Sequence, residues 1–367
     1  MSENKKYCSR CVLSSTTPFI KFDENGVCNY CRDHPSLTYK GEAEFVRHLD
    51  KFRNNDRQYE CMAAVSGGRD STFTLQKLVK DYKMKVLAVN YQNPFAHPQA
   101  QANIKNAVSL LNVDLFSIKA PRDLQLRSWR SNLRTWIKRP QLQTLPLMCI
   151  ACKLMWYEII KVALKNNIRC IVSGNNRYED TSYTKALLGI DAKVTWEKAF
   201  MKSIFGIVPK MLQSPGYFKP AYWPTYLKAY LFGDAYALGS KALMRRLTFL
   251  DLFFYIKWDE KEVLSRIKSE LKWEAPADCP SSWRFDCRIV PIKDLVNLKF
   301  FGVSEKDDFY SKMIREGLMT RDEALKRLET ENEIQIERAR EMLAEAGIEF
   351  EDFMGILEKH STLLPSS

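Results

Sequence analysis

The stretch Ser66-Gly67-Gly68-Arg69-Asp70-Ser71 decides the fold, because it joins an apolar run at residues 61–65 to a helical pattern at residues 71–82. A short buried strand, a glycine turn and a helix in this order place the turn at the carboxyl end of the strand. The paired glycines allow a tight backbone turn and close approach to an anion, and the helix directs its free N–H groups at the same point. The stretch therefore predicts a phosphate-binding loop.

The side chains of the loop suit a nucleotide that binds together with a metal ion. Ser66 and Ser71 supply hydroxyl groups, whereas Asp70 would repel bare phosphate. We therefore expect Asp70 to act through bound Mg²⁺ or to cap neighbouring amides. The loop lacks the Gly-Lys-Ser/Thr ending of a Walker A motif. A serine-capped turn without a ligand is the alternative, and the agreement of strand, loop and helix favours the phosphate site.

Strand-like and helix-like runs alternate after the loop. Residues 85–90, 114–118 and 170–173 are predicted as strands, and residues 100–111 and 154–166 as helices. Alternation at this spacing indicates an α/β fold with a doubly wound parallel sheet.

The second half of the chain is predicted to be mostly helical. Residues 185–258 are rich in Trp, Tyr, Phe and Lys and show no strand alternation that would extend the sheet. The apolar run at residues 247–256 is too short to span a membrane and contains Asp251, so we predict a buried helix there. Further on, Thr320 is expected to cap a helix, with Glu323 as its capping-box partner.

The composition is that of a folded protein with an anionic partner. Hydrophobic residues make up 46% of the 367 residues, charged residues 27%, and the formal net charge is +12. This charge favours RNA, a membrane surface or phosphate-rich small substrates, without choosing among them. The first residues lack the apolar core of a signal peptide, and no stretch approaches the roughly 20 apolar residues of a membrane span. We therefore expect a cytoplasmic protein without a membrane span.

Four of the ten cysteines have the spacing of a metal site. They form two C-x-x-C pairs separated by a turn sequence, at Cys8, Cys11, Cys28 and Cys31. Such pairs in a reducing compartment indicate metal or redox chemistry rather than disulfides. Four thiolates close a tetrahedral shell around Zn²⁺, which would fold a module with little core of its own. An iron site of the rubredoxin type has the same spacing.

A third pair, Cys149 and Cys152, has a different setting. It precedes the predicted helix at residues 154–166, which places it over the carboxyl edge of the sheet near the loop. One C-x-x-C pair cannot close a metal shell by itself. An iron–sulfur cluster, a second zinc, a redox pair and buried thiols without function are all open alternatives.

The loop resembles the Ser-Gly-Gly-x-Asp-Ser signature of the PP-loop ATP pyrophosphatases. The resemblance implies that ATP is cleaved to AMP and pyrophosphate, with the loop holding the pyrophosphate part. Ser173-Gly174-Asn175-Asn176 resembles the second nucleotide-contacting turn of these enzymes, and the strand end at Asn90 would flank the adenine. The implied nucleotide-binding residues are Ser66, Gly67, Gly68, Asp70, Ser71, Asn90 and Gly174, of which Asp70 and Ser71 would also serve catalysis.

A second resemblance concerns the cysteines. Some PP-loop sulfur-transfer enzymes hold a [4Fe-4S] cluster with one C-x-x-C pair and one distant cysteine. By this resemblance, Cys149, Cys152 and Cys287 are the trio that would hold a cluster and take part in catalysis. Cys279 is the reserve candidate for the third position.

Motifs along nearly the whole chain resemble the N-acetyl sugar amidotransferases of bacterial surface-polysaccharide synthesis. Lys272 departs from the family pattern, in which we expect Gly before the Trp. The motifs are the two cysteine pairs at residues 8–31, the loop, Met148-Cys149-Ile150-Ala151-Cys152-Lys153, Ile256-Lys257-Trp258-Asp259, Glu270-Leu271-Lys272-Trp273, Trp283-Arg284-Phe285-Asp286-Cys287, and the run from Met313 to Ala324.

This family resemblance implies a reaction and a set of partners. An acetamido group of a nucleotide-linked sugar, such as a UDP-linked 2,3-diacetamido uronic acid, would be converted to an acetamidino group in O-antigen or related lipopolysaccharide synthesis. ATP and Mg²⁺ would activate the amide oxygen, and a separate glutaminase subunit would supply ammonia. Lys153, Arg177 and Arg284 are candidates to hold substrate phosphates or a sugar carboxylate, although each position is more often a plain surface charge.

On this interpretation the chain has four parts. Residues 1–40 form the four-cysteine zinc-binding module and residues 55–184 the PP-loop ATP-binding domain. Residues 185–257 form a helical insertion or lid, and residues 258–367 a helical region that completes the active site. Aromatic residues of the insertion are candidate wall residues, with ordinary helix packing as the alternative for each; they are Trp196, Tyr217, Tyr222, Trp223 and Tyr226.

Two other functions compete with the amidotransferase. A PP-loop enzyme that thiolates tRNA would use the same ATP chemistry and an iron–sulfur cluster, and the positive charge suits it. The basic residues are spread along the chain and no RNA-binding motif is recognised, so the sequence does not favour nucleic acid. A zinc-knuckle scaffold without activity would predict a degraded loop, whereas the loop at residues 66–71 is intact.

Overall fold

The computed structural model describes residues 5–119, 122–190, 194, 196–235, 237–243, 245–279 and 281–360, with the backbone alone at 122, 196, 197, 200 and 201. Among these residues, no helix has the length and apolar composition needed to cross a membrane.

A five-stranded parallel sheet forms the centre of the chain. The strands are β1 Cys61–Ala64, β2 Val86–Gln92, β3 Asp114–Lys119, β4 Cys170–Ser173 and β5 Thr248–Asp251, in the order β3-β2-β1-β4-β5. The chain winds outward from β1 to β3 and then returns to the other side of β1. Parallel sheets with this reversal bind ligands beside the carboxyl ends of the strands at the switch point, here between β1 and β4.

The helices surround the sheet and extend beyond it. In chain order they are α1 Asn29–Arg32, α2 Glu42–Asp50, α3 Arg69–Gln76, α4 Pro98–Leu111, α5 Arg122–Lys138, α6 Leu154–Lys165, α7 Ser182–Leu187, α8 Trp196–Leu212, α9 Trp223–Phe232, α10 Leu238–Leu243, α11 Glu260–Leu271, α12 Val290–Phe301, α13 Glu305–Arg315, α14 Arg321–Glu331, α15 Ile336–Glu345 and α16 Phe350–His360.

Both faces of the sheet are covered, as a doubly wound fold requires. Alternate strand residues such as Ala63 and Ala88 pack with apolar residues of α3, α4 and α11. The intervening residues, such as Met62 and Leu87, pack with α6 on the opposite face. This alternation follows from the two-residue period of a strand. The predicted α/β class and parallel sheet are therefore confirmed.

Two further clusters lie outside the sheet. The four N-terminal cysteines and neighbouring apolar residues form a small core of their own. A second cluster joins α5 to α12, α15 and α16 through large buried side chains such as Trp129, Trp136 and Phe353. The Thr320 hydroxyl accepts a hydrogen bond from the Glu323 amide at the start of α14, which confirms the predicted N-cap.

The prediction for residues 247–256 was wrong. This run forms strand β5 and the 3-10 turn Leu252–Phe254, not a helix, and β5 extends the sheet beyond β4. The expectation that no strand lies between residues 185 and 258 fails for the same reason. A four-residue strand buried at its carboxyl end carries no visible alternation, and periodicity cannot separate such a run from a buried helix.

Candidate functional site

The carboxyl ends of β1, β2 and β4 open into a cleft of about 1160 Å³. Apart from Gly67, Cys279, the four N-terminal cysteines and the candidate aromatic residues of the insertion, every site residue expected from the sequence lines it. They come from distant parts of the chain and are Ser66, Gly68, Asp70, Ser71, Asn90, Cys149, Cys152, Lys153, Gly174, Arg177, Arg284 and Cys287.

Gly67 shapes the phosphate loop from behind. Its φ of +84° is a left-handed conformation, and a Cβ at this position would lie 2.0 Å from the Ala100 carbonyl oxygen. Any side chain would therefore displace the loop or α4. The Gly67 carbonyl also accepts hydrogen bonds from the Trp273 indole at 3.0 Å and from the Asn103 amide at 3.2 Å. The loop is thus fixed from the side away from the cleft.

The two serines of the loop bond to each other across the turn. The Ser71 hydroxyl accepts from the Ser66 amide at 3.1 Å and lies 3.2 Å from the Ser66 hydroxyl. The Ser66 hydroxyl in turn accepts from the Gly68 amide at 3.3 Å. Because α3 begins at Arg69, its amino-terminal N–H groups are directed toward the same place. This arrangement of hydroxyl and amide donors suits the oxygens of a phosphate chain.

Asp70 is held by two groups from other parts of the chain. One carboxylate oxygen accepts from the Trp258 indole at 2.8 Å, and the other accepts from the Asn176 amide at 3.1 Å. Burial raises the pKa of Asp70 to about 6, although the neighbouring Arg69 guanidinium lowers it. A buried carboxylate oriented in this way beside a phosphate loop is suited to a divalent cation, whose charge would favour the ionised form.

Arg69 links the loop to the C-terminal helices. Its guanidinium donates to Glu260 at 2.5 Å and to the Ser282 hydroxyl at 2.8 Å, and it stacks over the Trp258 ring. Glu260 also pairs with Arg327 of α14 at 2.6 Å. Sequence reasoning did not identify Trp258, Asn176 or Glu260 as partners of the loop. The motif that ends in Trp258-Asp259 was the available signal.

The turn after β4 packs directly on α3. A Cβ at Gly174 would lie 2.6 Å from the Thr74 hydroxyl and 2.7 Å from the Asp70 carbonyl oxygen, so the close approach requires glycine. Beside it, the Ser173 hydroxyl and the Asn175 amide both donate to Asp251 at the end of β5. The strand that the sequence did not predict therefore supports the predicted second turn.

Asn90 lies within β2, beside the end of β1. Its amide donates to the Val65 carbonyl at 2.8 Å, whereas its buried carbonyl oxygen has no hydrogen-bond partner among the described residues. A buried oxygen of this kind next to a cleft is able to accept from a ligand. This geometry is compatible with the contact to adenine expected from the sequence.

Cys149, Cys152 and Cys287 share one region of the cleft. Cys149 lies at a kink in the 3-10 segment Leu142–Lys153, and Cys287 is bridged to Ala96 in the loop that follows β2. Burial, followed by the charges of the other two thiols, raises the pKa of Cys152 well above its usual value. The three thiols are therefore near neighbours, although Cys287 comes from a different segment of the chain than Cys149 and Cys152.

The trio does not have the spacing of a single-ion site. Among the described residues, the four N-terminal cysteines have their sulfur atoms within 4.8 Å of one another, as a single metal ion requires. Cys149, Cys152 and Cys287 do not meet this criterion. One tetrahedral zinc would require sulfur atoms about 3.8 Å apart. A [4Fe-4S] cluster binds each thiolate to a different iron and therefore does not require this close spacing.

Cys279 lies outside this group. Its sulfur accepts from Arg338 at 3.0 Å, and it faces a small cavity of about 30 Å³ that Cys287 also lines. The Arg338 guanidinium pairs with Asp278 in addition. The structure thus brings Cys287, rather than Cys279, to the cleft with the C-x-x-C pair.

The four N-terminal cysteines fit a zinc ion. Their sulfur atoms lie within 4.8 Å of one another, with separations of 4.0 Å between Cys8 and Cys31 and 3.8 Å between Cys11 and Cys28. A tetrahedral site with zinc–sulfur bonds of about 2.3 Å has edges of about 3.8 Å. Arg315 of α13 donates to the Cys31 sulfur at 3.4 Å. Its charge would offset part of the negative charge of four thiolates.

The predicted basic residues of the cleft have different surroundings. Arg284 is paired with Glu305 at 2.6 Å and with Glu179 at 3.5 Å, so its charge is already matched by carboxylates. Arg177 donates to the Thr38 carbonyl at 2.7 Å and stacks over Phe254. Lys153 lines the cleft beside the cysteine pair.

The candidate tyrosines of the insertion pack against neighbouring segments instead of lining the cleft. The hydroxyl groups of Tyr217, Tyr222 and Tyr226 donate to Thr144, Arg127 and Asn132 respectively. Trp223 is exposed, and the side chain of Trp196 lies outside the described residues. From residues 185–257, the cleft is lined by Lys185, Val194, Asp234 and Phe254. The packing alternative therefore describes Tyr217, Tyr222 and Tyr226 better than a role as wall residues.

Comparison with known proteins supports the family expected from the sequence. Residues 282–363 match the family described as LPS biosynthesis protein WbpG-like, C-terminal domain. This segment contains Cys287 and α12 to α16; its cleft-lining residues are Ser282, Arg284, Phe285, Asp286, Cys287, Lys312 and Arg315. Ser311 and Arg315 of α13 contact the cysteine module. "Uncharacterized protein MJ1599" of Methanocaldococcus jannaschii is 25% identical over 173 residues, which cover 46% of this chain and 58% of that protein. The chain thus spans little more than half of this relative.

Three solved structures align with most of the chain at low similarity. NMN synthetase from Francisella tularensis has a TM-score of 0.36 and 13% identity, covering 81% of this chain and 95% of its own. NH3-dependent NAD synthetase from Campylobacter jejuni has a TM-score of 0.26 and 16% identity, and the alignment covers 64% of this chain and 93% of that chain. U34-tRNA thiolase NcsA from Methanococcus maripaludis, solved with its [4Fe-4S] cluster, has a TM-score of 0.26 and 13% identity. The alignment covers 74% of this chain and 99% of that chain.

Proposed function

We propose that this protein is an ATP-dependent amidotransferase that converts an acetamido group of a nucleotide-linked sugar to an acetamidino group. The observation that carries the proposal is the position of the loop of residues 66–71, with Asp70, in a cleft that is also lined by residues of the segment matching the WbpG-like family. The cleft of about 1160 Å³ exceeds the usual range of small-molecule sites, which suits ATP together with a second nucleotide-sized substrate.

The proposed chemistry makes an amide oxygen into a leaving group. The acetamido oxygen attacks the α-phosphorus of ATP, and the bond from that phosphorus to the pyrophosphate oxygen breaks. Ammonia then adds to the carbon, a proton is lost, and the carbon–oxygen bond breaks to release AMP that carries the original amide oxygen. The loop donors at Ser66, Gly68 and Ser71 would stabilise the charge that grows on pyrophosphate. Mg²⁺, when bound, would add Lewis-acid stabilisation of the same charge.

The cofactors have separate places in this proposal. Asp70 would hold Mg²⁺ at the nucleotide, and the N-terminal cysteines would hold Zn²⁺ at a distance from the reacting atoms. Cys149, Cys152 and Cys287 would hold a [4Fe-4S] cluster in the cleft wall. Ammonia would come from a separate glutaminase subunit, because the chain shows no glutaminase motif of its own.

The second candidate is thiolation of tRNA by the same ATP chemistry. The observation that favours it is the position of three cysteines beside the phosphate loop. It would require the cleft to admit a tRNA base and the surface around it to bind the phosphate backbone. The match of residues 282–363 to an LPS biosynthesis family favours the sugar substrate.

The release of AMP and pyrophosphate tests the two candidates against each other. Anaerobically purified protein is incubated with ATP, Mg²⁺ and ammonium, and either a UDP-linked diacetamido sugar acid or unmodified tRNA. We expect AMP to be released in the incubation with the sugar and not in the incubation with tRNA. The sugar product should be lighter than the substrate by about one mass unit, because NH replaces oxygen. AMP release that depends on tRNA and a sulfur source would refute the amidotransferase.

Loop variants connect this activity to the geometry. Ser71→Ala removes a hydroxyl that organises the loop, and we expect a loss of about 100-fold in AMP release at saturating sugar. Ser109→Ala, at an exposed position of α4, is the matched control and should retain full activity. Equal activity of the two variants would remove the loop from the proposed mechanism.

A further inference from the structure

The helical insertion carries an unusual share of the positive charge. Residues 196–247 contain eight Lys or Arg and two Asp or Glu, a net charge of +6, which is half of the +12 of the whole chain. One of the two carboxylates, Asp234, is buried and faces the cleft. Among the described residues from 198 to 246, every exposed charged side chain is therefore basic.

The same segment exposes large apolar side chains. On α8, Phe205, Val208 and Leu212 follow a spacing of three and four residues and lie on one face of the helix. Phe205 is 77% exposed and Leu212 is 66% exposed. Lys198 and Lys202 continue this exposed face toward the start of α8. A single exposed apolar residue is ordinary, but a stripe of them beside lysines indicates an interaction surface.

The following helices repeat the pattern. Trp223 and Leu227 are exposed one turn apart on α9, with Lys228 beside them, and Leu238 is exposed at the start of α10 near Lys241. The inner sides of these helices are already packed, since α8 and α9 both contact the 3-10 segment Leu142–Lys153 and α9 also contacts α6. The exposed residues are thus the outward faces of helices that are anchored from within.

We propose that the outward faces of α8, α9 and α10 bind the surface of an anionic lipid bilayer. Apolar and aromatic side chains of an interfacial helix enter the boundary between headgroups and acyl chains, and lysines beside them contact anionic headgroups. Both components are present on these three helices, and no exposed carboxylate among the described residues 198–246 opposes them. The protein would thus carry out its reaction at a membrane surface.

The composition of the surface favours lipid over RNA. Single-stranded nucleic acid is bound by aromatic rings that stack on bases within a basic groove. Here the exposed apolar residues are mainly aliphatic, at Val208, Leu212, Leu227 and Leu238, and an aliphatic side chain offers no stacking face. A second copy of the chain would bring the same positive charge against itself, which opposes self-association through this face.

Sedimentation with lipid vesicles tests the proposal on the full-length protein. The vesicles contain either zwitterionic phosphatidylcholine alone or phosphatidylcholine with about one third phosphatidylglycerol. We expect the protein to sediment with the anionic vesicles and to be released from them at about 0.5 M salt, where the Debye length is short. Sedimentation with neither kind of vesicle at low salt would overturn the proposal.

Matched variants locate the contact. Lys202→Gln and Lys228→Gln should each weaken the affinity for anionic vesicles about fivefold. The triple change Phe205→Ser, Leu212→Ser and Trp223→Ser should abolish sedimentation, with the thermal unfolding midpoint unchanged because these side chains are exposed. Lys326→Gln and Leu110→Ser, exposed on α14 and α4, are the controls and should bind as the wild type does.

Three results would contradict the assignment. Vesicle binding that the triple change leaves intact would place the lipid contact elsewhere on the chain. Loss of concentration-dependent dimerisation in the triple variant, with no vesicle binding in the wild type, would assign the surface to a second copy. Competition by tRNA that removes the wild type from vesicles and depends on Trp223 would assign it to nucleic acid.

Discussion

Asp70 is the residue at which the folded structure and the proposed chemistry oppose each other. Its carboxylate is buried, and burial raises its pKa to about 6. The folded protein without ligands therefore binds the Asp70 proton more tightly than the unfolded chain, whose carboxyl has a pKa near 3.9. The contribution of Asp70 to the free energy of unfolding is therefore most favourable when the group is protonated, and it falls as the pH rises from about 3.9 to about 6. At neutral pH the ionised carboxylate costs stability, and a bound cation would remove that cost.

Asp70→Asn should therefore stabilise the protein and inactivate it. The gain in free energy of unfolding should be about 2 to 3 kcal/mol at pH 8 and should shrink toward pH 4, since an amide does not ionise. Urea unfolding at several pH values in the absence of ATP and Mg²⁺ measures the gain, and AMP release measures the activity. Asp56→Asn, at an exposed loop position, is the control. A gain that does not depend on pH would contradict the role of burial.

Trp258 acts on the reaction through Asp70, because its indole N–H holds one carboxylate oxygen at 2.8 Å. Trp258→Phe keeps an aromatic ring and removes the donor. We expect kcat to fall about tenfold to 100-fold and the Mg²⁺ concentration for half-maximal activity to rise. Trp136→Phe removes an equivalent buried indole bond, to the Gln141 carbonyl, and should leave the Mg²⁺ dependence unchanged. A parallel effect of both variants would indicate a purely structural role for Trp258.

Lys272 is strained where its family is expected to carry glycine. It ends α11 with φ of +53° and ψ of 39°, a left-handed conformation that a side chain disfavours, and its side chain is exposed. Lys272→Gly should therefore raise the free energy of unfolding by about 0.5 to 1 kcal/mol. Lys268→Gly, in the exposed interior of the same helix, should lower it by about 1 kcal/mol. Urea unfolding of both variants measures these changes. A lower free energy of unfolding in Lys272→Gly than in the wild type would contradict the proposed strain at Lys272.

At the scale of secondary structure, periodicity predicted the sheet well and its last strand badly. Strands β1 to β4 are bounded by turns and by helices, where the repeat of apolar residues changes from that of a strand to that of a helix. Strand β5 lies inside an apolar run that fits a helix equally well, and its pairing with β4 is a long-range contact. Such pairing is set by the sheet edge that β4 leaves open rather than by residues near β5 in sequence.

The same limit applies to the site. Residues within the loop could be predicted, because local conformation and chemistry select Gly67 and Ser71. The partners Asn176, Trp258 and Glu260 lie 106 to 191 residues from the loop residues they contact, and these contacts exist only once the chain has folded. The trio of cysteines came from family resemblance, and the structure places its members in one cleft wall.

The cysteine module should depend on α13 as well as on zinc. Val12 donates to Ser311 of α13 at 3.4 Å, and Arg315 donates to the sulfurs of Cys31 and Cys11. Arg315→Met removes a buried positive charge beside four thiolates, so zinc should be lost at lower chelator concentration. Metal analysis after titration with a chelator measures this, and one zinc per wild-type chain is expected. Arg10→Met, an exposed arginine of the module, is the control.

Full zinc retention in Arg315→Met would show that the arginine does not stabilise the site. Iron in place of zinc, in anaerobically purified protein, would instead correct the identity of the metal while leaving the four ligands as assigned. Cys28→Ser separates the two questions, because it removes a ligand and should lower the metal content whichever ion is bound.

At the scale of the whole molecule, one cleft is lined by residues from the N-terminal module, the sheet and the segment that matches the WbpG-like family. The sheet supplies the loop and the ends of β2 and β4, and the N-terminal module supplies Tyr30 and His34. The segment that matches the WbpG-like family supplies Arg284, Cys287 and the basic side chains of Lys312 and Arg315 on α13. Removal of the C-terminal helices should therefore abolish nucleotide binding rather than leave an active fragment. The sequence predicted these parts separately, and their assembly around one cleft became evident only in the folded chain.

Tracing the amide oxygen tests the central claim most directly. The sugar substrate is prepared with ¹⁸O in its acetamido carbonyl and incubated with the protein, ATP, Mg²⁺ and ammonium, and the AMP is analysed by mass spectrometry. The proposed mechanism predicts AMP heavier by about two mass units and an acetamidino sugar without the label. Unlabelled AMP formed in the presence of the sugar, or labelled sugar recovered unchanged while AMP accumulates, would contradict activation of the amide oxygen by ATP.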